Sequence, residues 1–227
     1  MAFRSIEAVL FDMDGTLIDS EGLTEVAVGK VLTDRGLATE LVDFSRFHGI
    51  TWAATVVSLR KTFPELGSVP LSDVLMRAYQ DLFVADFPPL IEGARDAVRQ
   101  AAEHRPTGIV TSSSRMTVEH VVEKLELGSI LQTIVCAEDC ARSKPDPEGY
   151  LLAAERLDVS PSRCLVFEDS LVGLRAAKLA GMKVVAISHG ASPAVLAEQR
   201  QIADDEVPSF AALPRGFFAS ISRSERP

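Results

Sequence analysis

Two aspartates separated by one residue, Asp12 and Asp14, are the first candidates for chemistry in this chain. They follow the apolar run 8–11, which predicts a short buried strand, and Gly15 lets the backbone turn away behind them. Residues i and i+2 of an extended chain point to the same side, so both carboxylates can reach one small space. Converging carboxylates repel each other unless a cation or a shared proton intervenes. The pair is typical of a metal-assisted reaction. The alternative interpretation is an acidic turn that is exposed to solvent and has no catalytic role.

Three further polar clusters stand at, or shortly after, the ends of later apolar runs. They are Thr111-Ser112-Ser113, Ser143-Lys144-Pro145-Asp146-Pro147 and Glu168-Asp169-Ser170. In a parallel sheet the carboxyl ends of the strands share one edge, where sites form. The sequence therefore predicts that these clusters surround the two aspartates.

Oxygen ligands are available at this predicted edge. Asp12, Asp169 and the main-chain carbonyl of Asp14 offer the hard donors that Mg²⁺ prefers, without any histidine or cysteine. A cation held there would neutralise the charge of a phosphate and lower its repulsion of an anionic nucleophile. The acidic clusters thus predict a magnesium site.

The remaining residues of these clusters suit phosphoryl transfer. The Ser112 hydroxyl and the Ser113 amide can hold phosphate oxygens, and Lys144 places a positive charge where the transition state becomes more negative. One aspartate can attack phosphorus, and the other can donate a proton to the leaving oxygen and later take one from water. Taken singly, the clusters have structural explanations as a helix cap, a solvated cation and an acidic pair at a helix start. Their order along the chain favours the functional interpretation.

Strand and helix patterns alternate from about residue 88 onward. Apolar runs predict strands over 108–111, 133–136, 163–167 and 183–187, with helical stripes between them. This alternation predicts an α/β fold, a Rossmann-like parallel sheet with helices on both faces. The expected catalytic core comprises residues 1–19 and 88–227.

Residues 20–87 carry only helical patterns and predict a small inserted helical domain. Its second helix is expected to bury the stripe Ile50, Ala53, Ala54 and Val57, and Ser72-Asp73 is expected to cap the third. The prolines at 88 and 89 stiffen the return to the core. The stretch 210–227 gives no interpretable signal.

Composition limits the classes of partner. The net charge of −9, without a basic run, argues against nucleic acid, and no apolar run is long enough to span a membrane. An anionic substrate must then be attracted by a local site. Three cysteines without metal-ligand spacing, and no signal peptide, predict a cytoplasmic protein with reduced thiols.

The ordered set Asp12-Met13-Asp14-Gly15-Thr16, Thr111-Ser112, Lys144-Pro145-Asp146-Pro147 and Glu168-Asp169-Ser170 closely resembles the motifs of the haloacid dehalogenase superfamily. It is similar to the branch with a helical cap inserted after the first motif, which includes small-molecule phosphatases and beta-phosphoglucomutase. The resemblance covers the chain up to about residue 205.

This resemblance implies a role for each matched residue. It implies Asp12 as nucleophile, Asp14 as general acid and base, and Ser112 and Lys144 as groups that stabilise the phosphate and the intermediate. The implied metal ligands for Mg²⁺ are Asp12, Asp14, Glu168 and Asp169, with Glu168 either a direct ligand or a partner of one.

Substrate-binding candidates come from the expected cap and from the second cluster. Glu21 belongs to an Asp-Ser-Glu segment that resembles one in sugar-phosphate phosphatases and would bind a substrate hydroxyl. The segment that contains His48, Gly49 and Trp52 resembles the part of the cap that faces the site, although a lone tryptophan in a small helical domain often serves packing. Ser113 is expected to contact phosphate, and Arg115 to reach a distal anionic group.

The resemblance leaves phosphatase and mutase chemistry open. Beta-phosphoglucomutase carries a cap arginine where this chain has Trp52, and a hinge histidine where it has Thr24. These departures favour a Mg²⁺-dependent phosphatase that acts on a small phosphorylated metabolite, a sugar phosphate or sugar-acid phosphate, through an aspartyl-phosphate. A mutase is the first alternative and a non-catalytic magnesium-binding regulatory module the second. We expect a monomer or weak homodimer.

Overall fold

The computed structural model describes residues 3, 5–47 and 50–221. Six parallel strands form one sheet in the order β3-β2-β1-β4-β5-β6. The strands are β1 (Ala8–Phe11), β2 (Thr107–Val110), β3 (Thr133–Val135), β4 (Cys164–Glu168), β5 (Lys183–Ile187) and β6 (Asp205–Val207). The predicted α/β fold with a parallel sheet is confirmed.

Helices connect these strands and cover both faces of the sheet. They are α1 (Glu21–Thr33), α2 (Trp52–Thr62), α3 (Leu71–Ala85), α4 (Ala94–His104), α5 (Arg115–Lys124), α6 (Glu148–Arg156), α7 (Leu171–Leu179), α8 (Pro193–Ile202) and α9 (Phe217–Ser220). None of the helices in the described ranges is long and apolar enough to cross a membrane.

The central strand β1 is buried on both faces, which explains its unbroken apolar run. Val9 and Phe11 point into one hydrophobic cluster, and Ala8 and Leu10 point into a second cluster on the opposite face. This period of two aims alternate side chains at opposite layers of helices. The chain direction at the end of β1, and with it the position of Asp12, is therefore firmly set.

Among the described residues, all the secondary-structure elements between β1 and α4 are helices, as the sequence predicted. We call residues 20–87 the helical insert. It contains a hydrophobic cluster of its own, yet Tyr79 and Phe83 of α3 belong to the cluster of the main core. The two connections to the insert run side by side, because Ile18 and Leu90 form an antiparallel bridge.

Two local predictions for the insert are wrong. Helix α2 buries Thr55, Val56 and Leu59, whereas Val57 of the predicted stripe is 57% exposed. Ala53, Ala54 and Val57 of the predicted stripe line a cavity between the insert and the core, whereas Ile50 packs against the insert's own hydrophobic cluster. Ser72-Asp73 does not cap α3, because that helix already begins at Leu71, directly after a proline.

The end of the chain contributes to the core although its sequence gave no signal. Strand β6 pairs in parallel with β5, and only Val207 of its three residues is buried. Phe210 and Phe218 pack with their rings 5.8 and 6.4 Å from the Phe11 ring. These aromatic rings support the strand that presents the candidate site.

Candidate active site

The candidate residues lie at the carboxyl ends of the central strands. Strand β1 pairs with β2 on one side and with β4 on the other, so the strand order reverses beside it. Open parallel sheets place their ligand sites in the crevice at such a reversal. The backbone amide of Asp12 donates to the carbonyl of Phe167 at 2.9 Å, which joins the ends of β1 and β4.

A buried lysine joins two carboxylates at this edge. Lys144 Nζ donates to Asp12 Oδ1 at 2.5 Å, to Glu168 Oε1 at 2.6 Å and to the Val110 carbonyl at 3.3 Å. All three side chains in this ion-pair group are almost fully buried. Such charges are tolerated inside a protein only when they are paired and hydrogen-bonded, as these are.

Burial and charge oppose each other in this group. Burial raises the pKa of Asp12, and the negative charges of Glu168 and Asp14 add to that effect, while Lys144 acts in the opposite direction. Burial would lower the pKa of Lys144, but the carboxylates of Asp12 and Glu168 outweigh it and raise that pKa well above its ordinary value. Lys144 is therefore a permanently charged cation at neutral pH.

Three buried carboxylates converge beside the lysine. One oxygen from each of Asp12, Glu168 and Asp169 lies within 4.8 Å of the others. One lysine against three acidic groups leaves an excess of negative charge, and a donor set made of oxygens fits Mg²⁺. These residues suit a divalent cation. The Asp14 carboxylate does not belong to this cluster and points elsewhere.

The turn after β1 is shaped around the Asp169 carboxylate. Gly15 has a φ of +77°, and a Cβ there would lie 2.2 Å from Asp169 Oδ2. Only glycine permits this close approach. The next residue, Thr16, donates its hydroxyl to Asp169 Oδ1 at 2.8 Å in a buried hydrogen bond. The Asp-Gly-Thr sequence thus fixes the position of a carboxylate more than 150 residues away.

Four hydroxyl groups surround the carboxylate of Asp14. Ser20 Oγ and Tyr79 OH donate to Oδ1 at 2.6 and 3.2 Å, while Ser113 Oγ and Thr111 Oγ1 donate to Oδ2 at 2.6 and 3.2 Å. Burial, together with the Asp14 carboxylate, raises the pKa of Tyr79 far above its usual range, which keeps the phenol protonated as a donor. The arrangement is typical of a carboxylate held for hydrogen-bonding or proton transfer.

The predicted phosphate-binding residues lie beside both aspartates. Ser112 lines the space next to Asp12 and Asp14. The Ser113 amide donates to Thr111 Oγ1 at 3.0 Å and its hydroxyl donates to Asp14, so both groups are engaged within the protein. Ser112 lines two cavities at this site, so it borders the space in which a phosphate would lie.

Two adjacent cavities lie between the insert and the core. The smaller, about 50 Å³, is lined by Asp12, Asp14, Trp52 and Tyr79 among others. The larger, about 660 Å³, extends from Lys144 to the exposed faces of α2 and α3. Trp52, Thr111 and Ser112 line both, so the larger cavity lies next to the space that holds the aspartates.

The predicted substrate-binding residues are placed unequally. Trp52 lies between the cavities, with its ring 5.5 Å from that of Tyr79. Arg115 instead pairs with Asp139 at 2.7 Å, and the cavity linings do not include it. His48 and Gly49, and the side chain of Glu21, lie outside the described residues.

Several residues of the site escaped the sequence analysis. Tyr79 belongs to the buried stripe of α3, so its spacing indicated only packing. Tyr150, buried beneath Lys144 with its ring centroid 5.2 Å from Nζ, is hidden in the same way on α6. Ser20 precedes α1, and a serine at that place is typical of a helix cap. The signal available for Tyr79 was a phenol among leucine and phenylalanine, because a buried hydroxyl needs a partner.

Known proteins match this arrangement. The family model described as haloacid dehalogenase-like hydrolase matches residues 9–187. The validoxylamine A 7'-phosphate phosphatase of Streptomyces hygroscopicus subsp. limoneus is 30% identical over 195 residues, 85% of this chain and 90% of the relative. The fructose-1-phosphate phosphatase of Escherichia coli is 29% identical over 184 residues, 81% and 97% of the two chains. A putative beta-phosphoglucomutase from Bacteroides vulgatus has a similar structure, with a TM-score of 0.79 at 23% identity over 98% of this chain and 92% of that one.

The chain belongs to the haloacid dehalogenase-like hydrolase family. The predicted enzyme class, a phosphoric monoester hydrolase, is confirmed with it. The structural similarity to the mutase, at less than a quarter identity, shows the shared fold alone.

Proposed function

We propose that this enzyme is a Mg²⁺-dependent phosphatase that hydrolyses a small phosphorylated metabolite through an aspartyl-phosphate on Asp12. One observation carries the proposal: Asp12 is held by Lys144 beside further carboxylates, while Asp14 is kept apart by hydroxyl donors. Two aspartates in unlike surroundings are suited to two different tasks.

In the first step Asp12 is the nucleophile. Lys144 binds Oδ1, so Oδ2 is the oxygen available to attack phosphorus. As the bond from Oδ2 to phosphorus forms, the bond from phosphorus to the leaving oxygen breaks, and that oxygen takes a proton from Asp14. Lys144 and Ser112 offset the negative charge that gathers on the phosphoryl oxygens.

In the second step a water molecule replaces Asp12 on phosphorus. Asp14, now ionised, removes a proton from the water as it attacks, and the bond between phosphorus and Asp12 breaks. The products are inorganic phosphate and the original Asp12 carboxylate. Both aspartates end in the state in which they began.

Asp12, Asp169, Glu168 and the main-chain carbonyl of Asp14 are the residues we assign to the metal. Mg²⁺, when bound, supplies charge neutralisation that lets an anionic phosphate approach an anionic nucleophile. The chain's own contribution is to hold these carboxylates in place through Thr16, which donates to Asp169, and Lys144.

We further propose that the substrate is a sugar phosphate or sugar-acid phosphate and that residues 20–87 act as its cap. The two relatives described above are named as a validoxylamine A 7'-phosphate phosphatase and a fructose-1-phosphate phosphatase, and another similar protein is named a hexitol phosphatase. The 660 Å³ cavity is in the range of sites that enclose a small organic molecule. It is bounded by the insert on one side, while residues 1–19 and 88–227 form the catalytic core. Trp52 is our candidate for contact with the sugar.

The test is phosphate release from a panel of phosphorylated metabolites, measured with Mg²⁺ and with a chelator. Release that stops when the chelator is added supports the proposal and identifies the substrate. Beta-glucose 1-phosphate should be followed in parallel for conversion to the 6-phosphate, because isomerisation without release would replace the phosphatase proposal by the mutase one. Two other expectations stay predictions: a cytoplasmic location, which fractionation tests, and a monomer or weak homodimer, which sedimentation tests.

A further inference from the structure

We propose that Tyr79 of the helical insert is a positioning residue for Asp14, and that its hydroxyl couples the docking of the insert to proton transfer. The inference rests on the proposed function, in which Asp14 donates a proton to the leaving oxygen. It assigns a role to a side chain that the sequence pattern identifies only as part of the core.

Tyr79 is the polar member of an apolar stripe. Leu71, Leu75, Tyr79 and Phe83 recur every four residues along α3 and are all buried. Leucine or phenylalanine would fill the same space, and burying a phenol without a hydrogen bond is unfavourable. The Tyr79 hydroxyl donates to Asp14 Oδ1 at 3.2 Å, across 65 residues of sequence. Packing alone does not require a hydroxyl at this position.

Two aromatic rings pack against the Tyr79 ring. The Trp52 ring meets it edge-on with centroids 5.5 Å apart, and the centroid of the Phe83 ring lies 5.6 Å away. The hydroxyl can therefore reach Asp14 only when α2 and α3 are docked on the core. Because these rings fix the phenol, the orientation of the Asp14 carboxylate depends on the position of the insert through this hydrogen bond.

The four donors to Asp14 come from different parts of the molecule. Thr111 and Ser113 hold Oδ2 from the end of β2, and Ser20, the first residue of the insert, holds Oδ1 from the position directly before α1. Tyr79 alone among these four lies inside a helix of the insert. If α3 moves away from the core, Oδ1 loses the Tyr79 donor and the carboxylate gains freedom to rotate. Asp14 is thus fully oriented only when the insert covers the site.

Removing the hydroxyl alone tests this role. Tyr79→Phe keeps the ring in contact with Trp52 and Phe83, so the fold and the emission of Trp52, the chain's single tryptophan, should be unchanged. We expect kcat/KM for an alkyl phosphate to fall about tenfold, mainly through kcat, which corresponds to the loss of one hydrogen bond in the transition state. For 4-nitrophenyl phosphate, whose leaving oxygen needs little protonation, we expect a change of less than about twofold.

Leu75→Val is the matched control, because it removes one methylene from the same stripe without reaching Asp14. It should lower the urea midpoint of unfolding, because it leaves a small gap in the core, and leave kcat/KM within about twofold on both substrates. Equal losses on both substrates in Tyr79→Phe, or no loss on either, would overturn the inference. If the wild-type enzyme itself released no phosphate from any substrate, the proposed function would fail and this inference with it.

Discussion

Asp12 and Asp14 lie two residues apart, yet their surroundings are of opposite kinds. Asp12 is buried among charges, with Lys144 at 2.5 Å and an oxygen of Glu168 and one of Asp169 close by. Asp14 is surrounded by four neutral hydroxyls. The first environment is built wholly by the core, while the second is completed by the insert. Identical side chains on one turn can therefore be assigned different work by what surrounds them.

The two environments also differ in whether they serve the reaction itself or the choice of substrate. The charged group around Asp12 depends on residues at strand ends, whose positions the sheet fixes. The Asp14 environment, with Trp52 and the cavity above it, depends on how the insert docks. We expect changes near Asp12 to affect every substrate alike and changes on the insert to affect substrates unequally.

Asp12→Asn should have the largest effect on turnover. An amide cannot form the phosphoryl-enzyme bond, so phosphate release should fall by about 10⁴-fold or more. Asp81→Asn, an exposed change on α3, is the matched control and should keep wild-type activity. Steady-state assays at pH 7 make the comparison, with the folding of each purified protein checked by circular dichroism. Substantial activity in Asp12→Asn would remove the nucleophile from the account.

Lys144→Met should affect stability as well as activity. Without the cation, the buried carboxylates of Asp12 and Glu168 repel each other, and the free energy of unfolding should fall by about 3–5 kcal/mol. Lys124→Met, on the exposed end of α5, should change it by less than about 0.5 kcal/mol. Urea unfolding in the presence of chelator measures both. Equal stabilities would mean that the ion-pair group does not hold the strand ends together.

Gly15→Ala tests the close contact between the turn and the metal cluster. The added methyl would collide with Asp169 Oδ2, in addition to the strain of a positive φ. Gly36→Ala is a matched control, because Gly36 has a φ of +68° with no atom near its missing Cβ. The control should cost about 1 kcal/mol, and Gly15→Ala about 2 kcal/mol more. Calorimetry compares the two, and Mg²⁺ titration should show weaker binding in Gly15→Ala alone.

The smallest expected effects are on the free energy of unfolding. Replacing Asp12 and replacing Asp14 should change it in opposite directions. Burial raises the pKa of Asp12 above its ordinary value of 3.8, so the folded chain keeps this proton to a higher pH than the unfolded chain does. The free energy of unfolding without Mg²⁺ should therefore fall as pH rises above 3.8, and Asp12→Asn should remove that loss.

Asp14→Asn should instead destabilise the fold by about 1 kcal/mol, because an amide replaces one of the two oxygens that accept from the surrounding hydroxyls. Urea unfolding with chelator at pH 4 and pH 7 measures both variants. If Asp12→Asn were the less stable variant at pH 7, the contrast between the two environments would be wrong.

The carboxyl-terminal edge of the sheet was the part of the molecule that the sequence predicted best. Fully buried strands read as apolar runs, and parallel strands must end at one edge, so Asp12, Lys144 and Asp169 could be brought together from the sequence. Strand β6 could not, because two of its three residues are acidic and its pairing depends on β5. Phe210 and Phe218 carry no periodic pattern that indicates where they pack.

The insert resisted prediction for a physical reason. A helix facing a cavity shows apolar residues just as a helix facing a core does, so Ala54 and Val57 were assigned to the wrong environment. Tyr79 had the spacing of a core residue, and its partner lies 65 positions away. Contacts between distant segments, which determine such roles, leave no periodic trace in a single sequence.

The most direct test of the central claim is a single-turnover experiment with Asp14→Asn and 4-nitrophenyl phosphate. This substrate should phosphorylate Asp12 without a proton donor, but the variant lacks the base that activates water. We expect a burst of nitrophenol equal to the number of active sites, and mass spectrometry should find one phosphoryl group on the peptide that contains Asp12. A burst in Asp12→Asn, or an unmodified Asp12 after the burst in Asp14→Asn, would contradict the division of labour between the two aspartates.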